Sequence, residues 1–193
     1  MIAAERIVAV LFARSDSVYK TITDCDVWDI ERDARNWPGG HSVIAHPPCR
    51  AWGRLRNFAK PRQDEKSLAV WAVRQVQKWG GVLEHPAQSS LWKETRLPAI
   101  GKIDEFGGWT LPVDQNWWGH RARKRTYLYI VGVKPRCIPQ IPLSLEVPTH
   151  VVAKGKKRKG MAGYRPQLGK AEREHTPLEF AIWLRDLAMS CHV

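Results

Sequence analysis

The sequence predicts a single α/β domain over residues 1–193, built on a mostly parallel sheet flanked by helices. Two short apolar runs, at residues 43–45 and 82–83, are each bounded by glycine, as strands buried inside a parallel sheet often are. Between them, residues 64–79 place apolar side chains at helical spacing with charged side chains opposite. A helix between two buried strands favours a parallel sheet.

The first core strand is predicted at residues 6–13, which are apolar nearly throughout. Ser15, Asp16 and Ser17 follow and can cap a short helix, the position where cofactor anions usually bind. A second strand is predicted at residues 26–31. Glu31 lies where an acid binds ribose hydroxyls in dinucleotide-type folds, although a solvated carboxylate is an equally good interpretation.

The chain is organised around the strand at residues 43–45 and the two prolines and Cys49 that follow it. The prolines end the strand and hold the chain extended, so that Cys49 is presented beyond the carboxyl end of the sheet, where open α/β folds bind ligands. Arg50 and Arg54 are expected to favour the thiolate, which makes Cys49 a candidate nucleophile. The alternative is a buried cysteine after a structural turn.

Gly80 and Gly81 are expected to end the long helix, and a strand at residues 82–86 follows it. This strand carries Glu84 and His85 at its exit, directly before a proline. Because two strands each end in a chemically active residue beside a proline, we expect one shared site at this edge of the sheet. A solvated charge at a strand end is the alternative.

The C-terminal half continues the alternation of strands and loops. Strands are predicted at residues 107–114 and 126–133, and the basic segment 121–125 between them is able to bind phosphate or to form a solvated edge. Residues 134–165 are proline-rich and irregular and include a basic loop at 154–159, expected to contact phosphate. Thr176 as the N-cap and Pro177 as the first residue open a final helix.

Composition favours a polyanionic partner. The chain has 31 Lys and Arg against 19 Asp and Glu, a net charge of +12, and its 10 tryptophans exceed what a core of this size needs. A basic protein with surplus aromatic side chains is typical of nucleic-acid binding. The 4 cysteines form no metal-binding spacing, and no signal peptide or membrane span is recognisable, so a reducing cytoplasm without disulfides is expected.

Taken in order, these segments resemble the DNA cytosine-5 methyltransferases. In that family a Pro-Pro-Cys after a core strand supplies the nucleophile, and Cys49 matches it. The next core strand ends in a glutamate that holds the pyrimidine edge, and Glu84 matches it. Arg123 and Arg125 match two arginines that precede an aromatic-aliphatic strand, with Arg121 in place of a glutamine. The chain also resembles a group of small phage and prophage proteins along nearly its whole length.

The resemblance implies a Rossmann-like, methyltransferase-type sheet of reduced size and S-adenosylmethionine as the cofactor. The cofactor-binding residues it implies are Phe12, Ser15, Asp16, Ser17, Glu31 and Pro47. The glycine-rich cofactor motif of the family is replaced by residues 11–15, and the 18 positions from Glu31 to Cys49 leave no room for one of its strands. The half that handles the pyrimidine is therefore expected to be retained more fully than the cofactor half.

The resemblance further implies DNA as the partner and a covalent intermediate. The Cys49 thiolate would attack C6 of a cytosine flipped out of the helix, Glu84 would hold or protonate its N3 edge, and Arg123 with Arg125 would steady the nucleotide. The side chains expected to contact DNA are Arg50, Trp52, Arg54, Trp117, Trp118, His120, Arg121, Lys154, Lys156, Lys157, Arg158 and Lys159. The expected location is the cytoplasm of a bacterial host.

Several alternatives stay open. A zinc-dependent cytidine deaminase needs a second cysteine three positions after the first, where Trp52 stands. A metal site formed by His46, Cys49 and His85 would have an irregular ligand set, and no metal is expected. The remaining alternatives are a non-catalytic DNA-binding protein on a degenerate methyltransferase scaffold and a C5-modifying enzyme with a different donor.

Overall fold

The computed structural model describes residues 6–54, 56–153 and 157–192. Its strands are β1 (Val8–Leu11), β2 (Cys25–Trp28), β3 (Ser42–Ala45), β4 (Gly81–Pro86), β5 (Trp109–Asp114) and β6 (Arg125–Val131). Its α-helices are α1 (Glu65–Trp79), α2 (Leu91–Glu94), α3 (Lys170–Glu174) and α4 (Leu178–Met189). Short 3-10 helices lie at Val18–Thr21, Ala34–Asn36, Arg56–Phe58, Gln115–Trp118 and Pro135–Cys137.

All six strands form one sheet in the order β2-β1-β3-β4-β6-β5. The pairs β1–β2, β1–β3 and β3–β4 are parallel, whereas β6 runs antiparallel to both β4 and β5. β6 reverses because only residues 115–124 separate it from β5, and so short a connection joins antiparallel neighbours. The α/β class is thus confirmed, and the sheet is mixed. No strand lies within residues 29–41, all of which are described.

Helices cover the sheet on two faces, because successive strand residues point to opposite sides. Along β1, Val8 and Val10 pack in the same cluster as α4, whereas Ala9 and Leu11 pack in the cluster that contains α1. The same alternation continues through β3, β4 and β6. Burial on both faces explains why the predicted strands are apolar without a polar side.

Gly81 allows β4 to approach β3 closely. Its φ is +116°, and a Cβ built on it would lie 2.0 Å from the carbonyl oxygen of Val43. Only glycine fits this position, because both the dihedral angle and the space exclude a side chain. The glycine pair after α1 therefore sets the register of β3 and β4 as well as ending the helix.

Two predicted helix starts differ in detail from the structure. The first helix is a 3-10 helix, and Ser17 caps it by accepting a hydrogen bond from the backbone N–H of Tyr19 at 3.4 Å. The N-cap of α4 is Pro177 and not Thr176, and no side chain caps it. α2 and α3 were not predicted, because segments of four and five residues show too little periodicity.

The segment at residues 134–165 is largely irregular where it is described. Beyond its 3-10 helix it is held mainly by isolated bridges, between Ala122 and His150 and between Val151 and Gln167. None of the helices in the described ranges is long and apolar enough to span a lipid bilayer.

Candidate functional site

A cleft of about 860 Å³ opens at the carboxyl ends of β1, β3 and β4. β1 and β3 are neighbours, and the connection after β1 leads to β2 on one side whereas the connection after β3 leads to β4 on the other. Such a point in an open α/β sheet forms a crevice that binds ligands. The volume is within the usual range for ligand pockets.

Cys49 lines this cleft directly after the prolines that end β3. Pro47 also lines it and is buried, and the Cys49 carbonyl accepts hydrogen bonds from the backbone N–H groups of Trp52 and Gly53 at 3.0 and 2.8 Å. Cys49 is exposed to the cleft. The cleft walls still remove much of the water around its thiol, and this desolvation, together with the negative charge of Glu84, raises the pKa of Cys49.

The expected activation of Cys49 by Arg50 and Arg54 is not found. The guanidinium of Arg50 forms an ion pair with the carboxylate of Glu65, which is fully buried at the start of α1. Arg54 is exposed and lies outside the cleft lining. Lys124 is instead the cation whose charge favours the thiolate and lowers the pKa of Cys49 in part.

Glu84 lines the cleft beside Cys49 and is held by His46. Leu83 pairs with Ala45 across β3 and β4, so the next residues along, His46 and Glu84, are neighbours on the same face of the sheet. Nδ1 of His46 lies 3.1 Å from Oε2 of Glu84, and Nε2 lies 3.1 Å from the hydroxyl of Tyr19.

Glu84 is ionised in this network. Burial by itself would raise the pKa of Glu84, but the hydrogen bond from His46 and the positive charge of Lys124 outweigh that effect and lower the pKa to about 2. An ionised carboxylate can only accept, so Nδ1 of His46 carries a proton. Burial raises the pKa of Tyr19, whose hydroxyl therefore stays protonated beside Nε2 of His46.

A second donor holds the other oxygen of Glu84. Nε2 of Gln115 lies 3.0 Å from Oε1 of Glu84 and 3.0 Å from the hydroxyl of Thr126, so it donates to both. Gln115 comes from the turn after β5, and Thr126 from β6. Donors from the turns after β3 and β5 therefore fix the orientation of one carboxylate, and Thr126 in turn accepts from Gln115.

His85 lies on the opposite face of β4 and is fully buried against Trp92. Neither of its ring nitrogens has a hydrogen-bond partner in the described part of the chain. Burial lowers the pKa of His85 to about 4, so the ring is neutral at pH 7. No group of three His, Cys, Asp or Glu side chains within the described ranges is placed to hold a metal ion, which argues against the alternative site of His46, Cys49 and His85.

α3 and the residues directly after it line the cleft and are held there by ion pairs. Nη1 of Arg14 lies 2.6 Å from Oε2 of Glu174, and Nε2 of His175 lies 3.1 Å from Oδ2 of Asp16. Arg121, before β6, pairs with Glu172. The loop after β1 and the segment before β6 are thereby connected through α3.

The predicted cofactor residues are divided between the cleft and its surroundings. Phe12, Ser15, Ser17 and Pro47 line the cleft, whereas Asp16 and Glu31 do not. Phe12 has a φ of 60°, which places an aromatic side chain where the chain turns through a conformation that favours glycine.

The acids expected near a cofactor are either bound within the protein or placed outside the cleft. Oδ2 of Asp29 lies 2.6 Å from Nζ of Lys20, and its Oδ1 accepts from the backbone N–H groups of Glu31 and Arg32. Asp16 is bound to Arg14 and His175, and the exposed Glu31 does not line the cleft. The residues present therefore do not fit S-adenosylmethionine in the way the resemblance implies.

Three side chains expected to contact DNA are instead buried. Trp52 is 1% exposed, Trp118 is 4% exposed and His120 is 7% exposed. Trp118 packs against Phe180 and Trp183 of α4, with ring centroids 4.8 and 5.0 Å apart. The expectation that Trp52, Trp118 and His120 meet DNA is corrected, because these side chains form part of the interior; Trp117 is half-buried.

The arginines of the segment before β6 do not converge on the cleft. Arg123 forms an ion pair with the buried carboxylate of Asp114, and Arg125 is exposed at the start of β6. Neither lines the cleft, which corrects their predicted role beside the nucleotide; Lys124 lies between them and does line it.

The basic loop is only partly described. Lys157, Arg158 and Lys159 are exposed, and Nζ of Lys157 donates to the carbonyl of Ala162 at 2.8 Å. Lys154 and Lys156 lie outside the described residues.

The sequence did not single out His46, Gln115 and Lys124 as partners of Glu84 and Cys49. His46 could have been selected from the sequence, since it is the first residue beyond a predicted strand and precedes the prolines. No sequence pattern pointed to Gln115 and Lys124, because only the β4–β6 pairing brings them to the site.

Comparison with known proteins adds no assignment. No protein-family model, no curated protein and no solved structure matches this chain. The functional conclusion rests on the chemistry of the cleft.

Proposed function

We propose that this protein modifies a cytosine base of DNA at C5 by forming a covalent bond between Sγ of Cys49 and C6 of the base. The observation that carries the proposal is the meeting of Cys49 and Glu84 in one cleft, at the ends of the adjacent parallel strands β3 and β4. This is the pair that the resemblance to cytosine-5 methyltransferases assigns to the nucleophile and to the pyrimidine edge.

The chemistry begins with transfer of the thiol proton of Cys49, which is exposed in the cleft, to water. The thiolate forms the S–C6 bond, and the electron pair of the C5=C6 double bond moves to C5, which becomes a carbon nucleophile. C5 then takes up an electrophile, or a proton from water. Loss of the original C5 hydrogen as a proton and expulsion of the thiolate restore the double bond.

Glu84 supports selection of cytosine. Its carboxylate is ionised and is held by donors from His46 and Gln115, so it presents acceptor oxygens and no proton. Cytosine offers its exocyclic amino group as a donor, whereas thymine and uracil offer a carbonyl oxygen at the same position. A fixed carboxylate therefore favours cytosine through attraction to the amino group and repulsion of the carbonyl.

The donor of the C5 group is not part of the proposal. The loop after β1 lines the cleft, as it would in a Rossmann-like methyltransferase sheet, but its Asp16 is bound to Arg14 and His175. We therefore derive no transfer step from S-adenosylmethionine. A C5-modifying enzyme that uses another donor is compatible with the same cysteine and glutamate.

DNA is supported as the substrate by charge. The net charge of +12 and the exposed Lys157, Arg158 and Lys159 favour a polyanion. Because the cleft is concave, a base must leave the stack, or be single-stranded, to reach Cys49.

The test is exchange of the C5 hydrogen, which needs no donor. A DNA oligonucleotide tritiated at C5 of cytosine is incubated with the protein, and release of tritium to water is measured. We expect release by the wild-type protein and by Cys137→Ser, whose exposed thiol lies outside the cleft, and loss of release in Cys49→Ala.

Binding of the same oligonucleotide is measured in parallel. DNA binding without exchange in the wild-type protein would contradict the proposal and favour a non-catalytic DNA-binding protein. The raised pKa of Cys49 and the substituted cofactor loop are the observations that favour that second function.

A further inference from the structure

The acidic side chains that line the cleft all have a basic side chain of the protein as their partner. Each of the six carboxylates has a cationic or imidazole partner: Asp29 with Lys20, Asp33 with Arg35, Asp64 with Arg62, Glu65 with Arg50, Glu84 with His46 and Glu174 with Arg14. The four arginines in these pairs belong to the lining themselves, so their charges are balanced too.

Three further cations line the cleft and have no acidic partner among the described residues. They are Lys124, Lys170 and Arg173. The acids on either side of Arg173 are engaged elsewhere, since Glu172 pairs with Arg121 and Glu174 pairs with Arg14. The cations of the cleft lining that form no ion pair with a described residue therefore lie on α3 and on the residue before β6.

The contacts of these cations within the protein are weak. Nζ of Lys124 lies 3.5 Å from the carbonyl oxygen of His175, and Nη1 of Arg173 lies 3.4 Å from that of Val152. Nε of Arg173 has no hydrogen-bond partner among the described residues. The guanidinium therefore has no strong acceptor in the described part of the protein, and polar groups in such a position usually have one.

We propose that Lys124, Lys170 and Arg173 form a phosphate-binding subsite that holds the phosphate of the nucleotide whose base reaches Cys49 and Glu84. A phosphate offers several acceptor oxygens and one or two negative charges, which matches a planar guanidinium and two ammonium groups. Charge-assisted hydrogen bonds to phosphate are the strong ones in a partly desolvated cleft.

The subsite lies next to the reaction centre. The charge of Lys124 acts on both Cys49 and Glu84, which places it near the nucleophile and near the group that selects the base. Within one nucleotide the phosphate and the pyrimidine are joined by a single sugar, so neighbouring subsites are required. This inference rests on the proposed function for the identity of the base, but not for the binding of phosphate.

The assignment also replaces the role expected for Arg123. Arg123 points to Asp114, while Lys124 points into the cleft, because neighbouring residues entering β6 face opposite sides. α3 then completes the subsite from a segment that no sequence pattern connected with the site.

The experiment is a calorimetric titration with dCMP, with deoxycytidine and with a short single-stranded oligonucleotide that contains one cytosine. We expect dCMP to bind about tenfold more tightly than deoxycytidine, or more, because hydrogen bonds between charged groups are strong. The Lys124→Gln/Arg173→Gln double variant should lose this preference. Lys102→Gln is the matched control, since Lys102 is exposed and outside the cleft. Near-ultraviolet circular dichroism verifies that the variants are folded.

The source of the phosphate follows from the same titrations. If dCMP shows the preference and inorganic phosphate competes with it, the subsite takes a free nucleotide. If only the oligonucleotide loses affinity in the double variant, it takes a DNA phosphodiester.

Two results would overturn the subsite. One is equal affinity of the wild-type protein for dCMP and deoxycytidine together with unchanged oligonucleotide binding in the double variant. The other is that Lys102→Gln loses the preference for dCMP over deoxycytidine to the same extent as the double variant. A phosphate preference without C5 exchange would leave the subsite standing and contradict the proposed function alone.

Discussion

Nδ1 of His46 lies 3.1 Å from Oε2 of Glu84, across the parallel pairing of β3 with β4. Each residue stands at the carboxyl end of its own strand, and the register of the pair makes them neighbours. The contact links the central proline turn to the carboxylate of the next strand. His46 therefore positions Glu84, and Tyr19 in turn fixes the ring of His46.

We expect His46→Leu to lower the free energy of unfolding by about 1–3 kcal/mol at pH 7, because a largely buried carboxylate loses one of its two donors. The depressed pKa of Glu84 contributes stability above about pH 4.5 that is lost as the pH falls towards 2. In His46→Leu that acid-dependent loss becomes smaller. Urea unfolding at pH 7, 4.5 and 3 measures both effects.

His46→Asn separates the hydrogen bond from the imidazole ring, since an asparagine amide can still donate near the position of Nδ1. It should retain more stability than His46→Leu. His41→Leu is the control, because His41 is exposed. An equal loss in His41→Leu, or none in His46→Leu, would show that the contact with Glu84 does not stabilise the fold.

Alkylation of Cys49 should depend on two neighbouring charges in opposite directions. Burial and the charge of Glu84 raise the pKa of Cys49, and the charge of Lys124 lowers it. Glu84→Gln should therefore move the midpoint of iodoacetamide reaction to lower pH, and Lys124→Gln should move it to higher pH. Peptide mass spectrometry measures the rate at Cys49, with the exposed Cys137 in the same sample as the reference. If both variants moved the midpoint in the same direction, the opposite effects of Glu84 and Lys124 on Cys49 would be contradicted.

Stability should fall between pH 6.5 and pH 4 because of His85. Burial lowers its pKa from 6.5 to about 4, so within this window the unfolded chain binds a proton that the folded chain does not. The stability present above pH 6.5 is lost as the pH falls, by about 3 kcal/mol in total. Chemical unfolding at half-unit steps of pH measures the slope.

His85→Phe keeps an aromatic ring against Trp92 and removes the titration. Its stability should change much less over the same range. A small slope of the same sign should persist, because burial also lowers the pKa of His120. A wild-type slope unchanged by His85→Phe would assign the acid sensitivity to other groups.

Much of the fold could be predicted because the patterns that indicate it involve residues close together in the sequence. The apolar runs that became β1, β3 and β4 are buried on both faces, and the helical periodicity of α1 is uninterrupted over 15 residues. Cys49 and Glu84 could be selected as candidates for the same reason, since each follows from the end of a strand. The direction of β6 was missed because it depends on the connection from β5 and on pairing with β4, which is distant in sequence.

The tryptophans show where composition misleads. A surplus of aromatic residues in a basic protein predicted base stacking, but Trp52 and Trp118 are buried, and Trp118, in the 3-10 helix after β5, packs against α4. Composition counts side chains without showing which are covered. Burial depends on packing between segments, which no local pattern contains.

The sequence by itself determined the α/β class, the strand ends and the presence of a cysteine and a glutamate at two of those ends, because strand length, proline turns and helix periodicity are properties of neighbouring residues. Only the tertiary structure decided what surrounds them. It ionises Glu84 through His46 and Lys124 and binds Arg50 to Glu65 instead of Cys49. It also brings Lys170, Arg173 and Lys124 to one cleft with no acidic partner in the part of the chain that the structure describes. These outcomes depend on charges that meet across strands and loops, where distance in space and not in sequence sets the interaction.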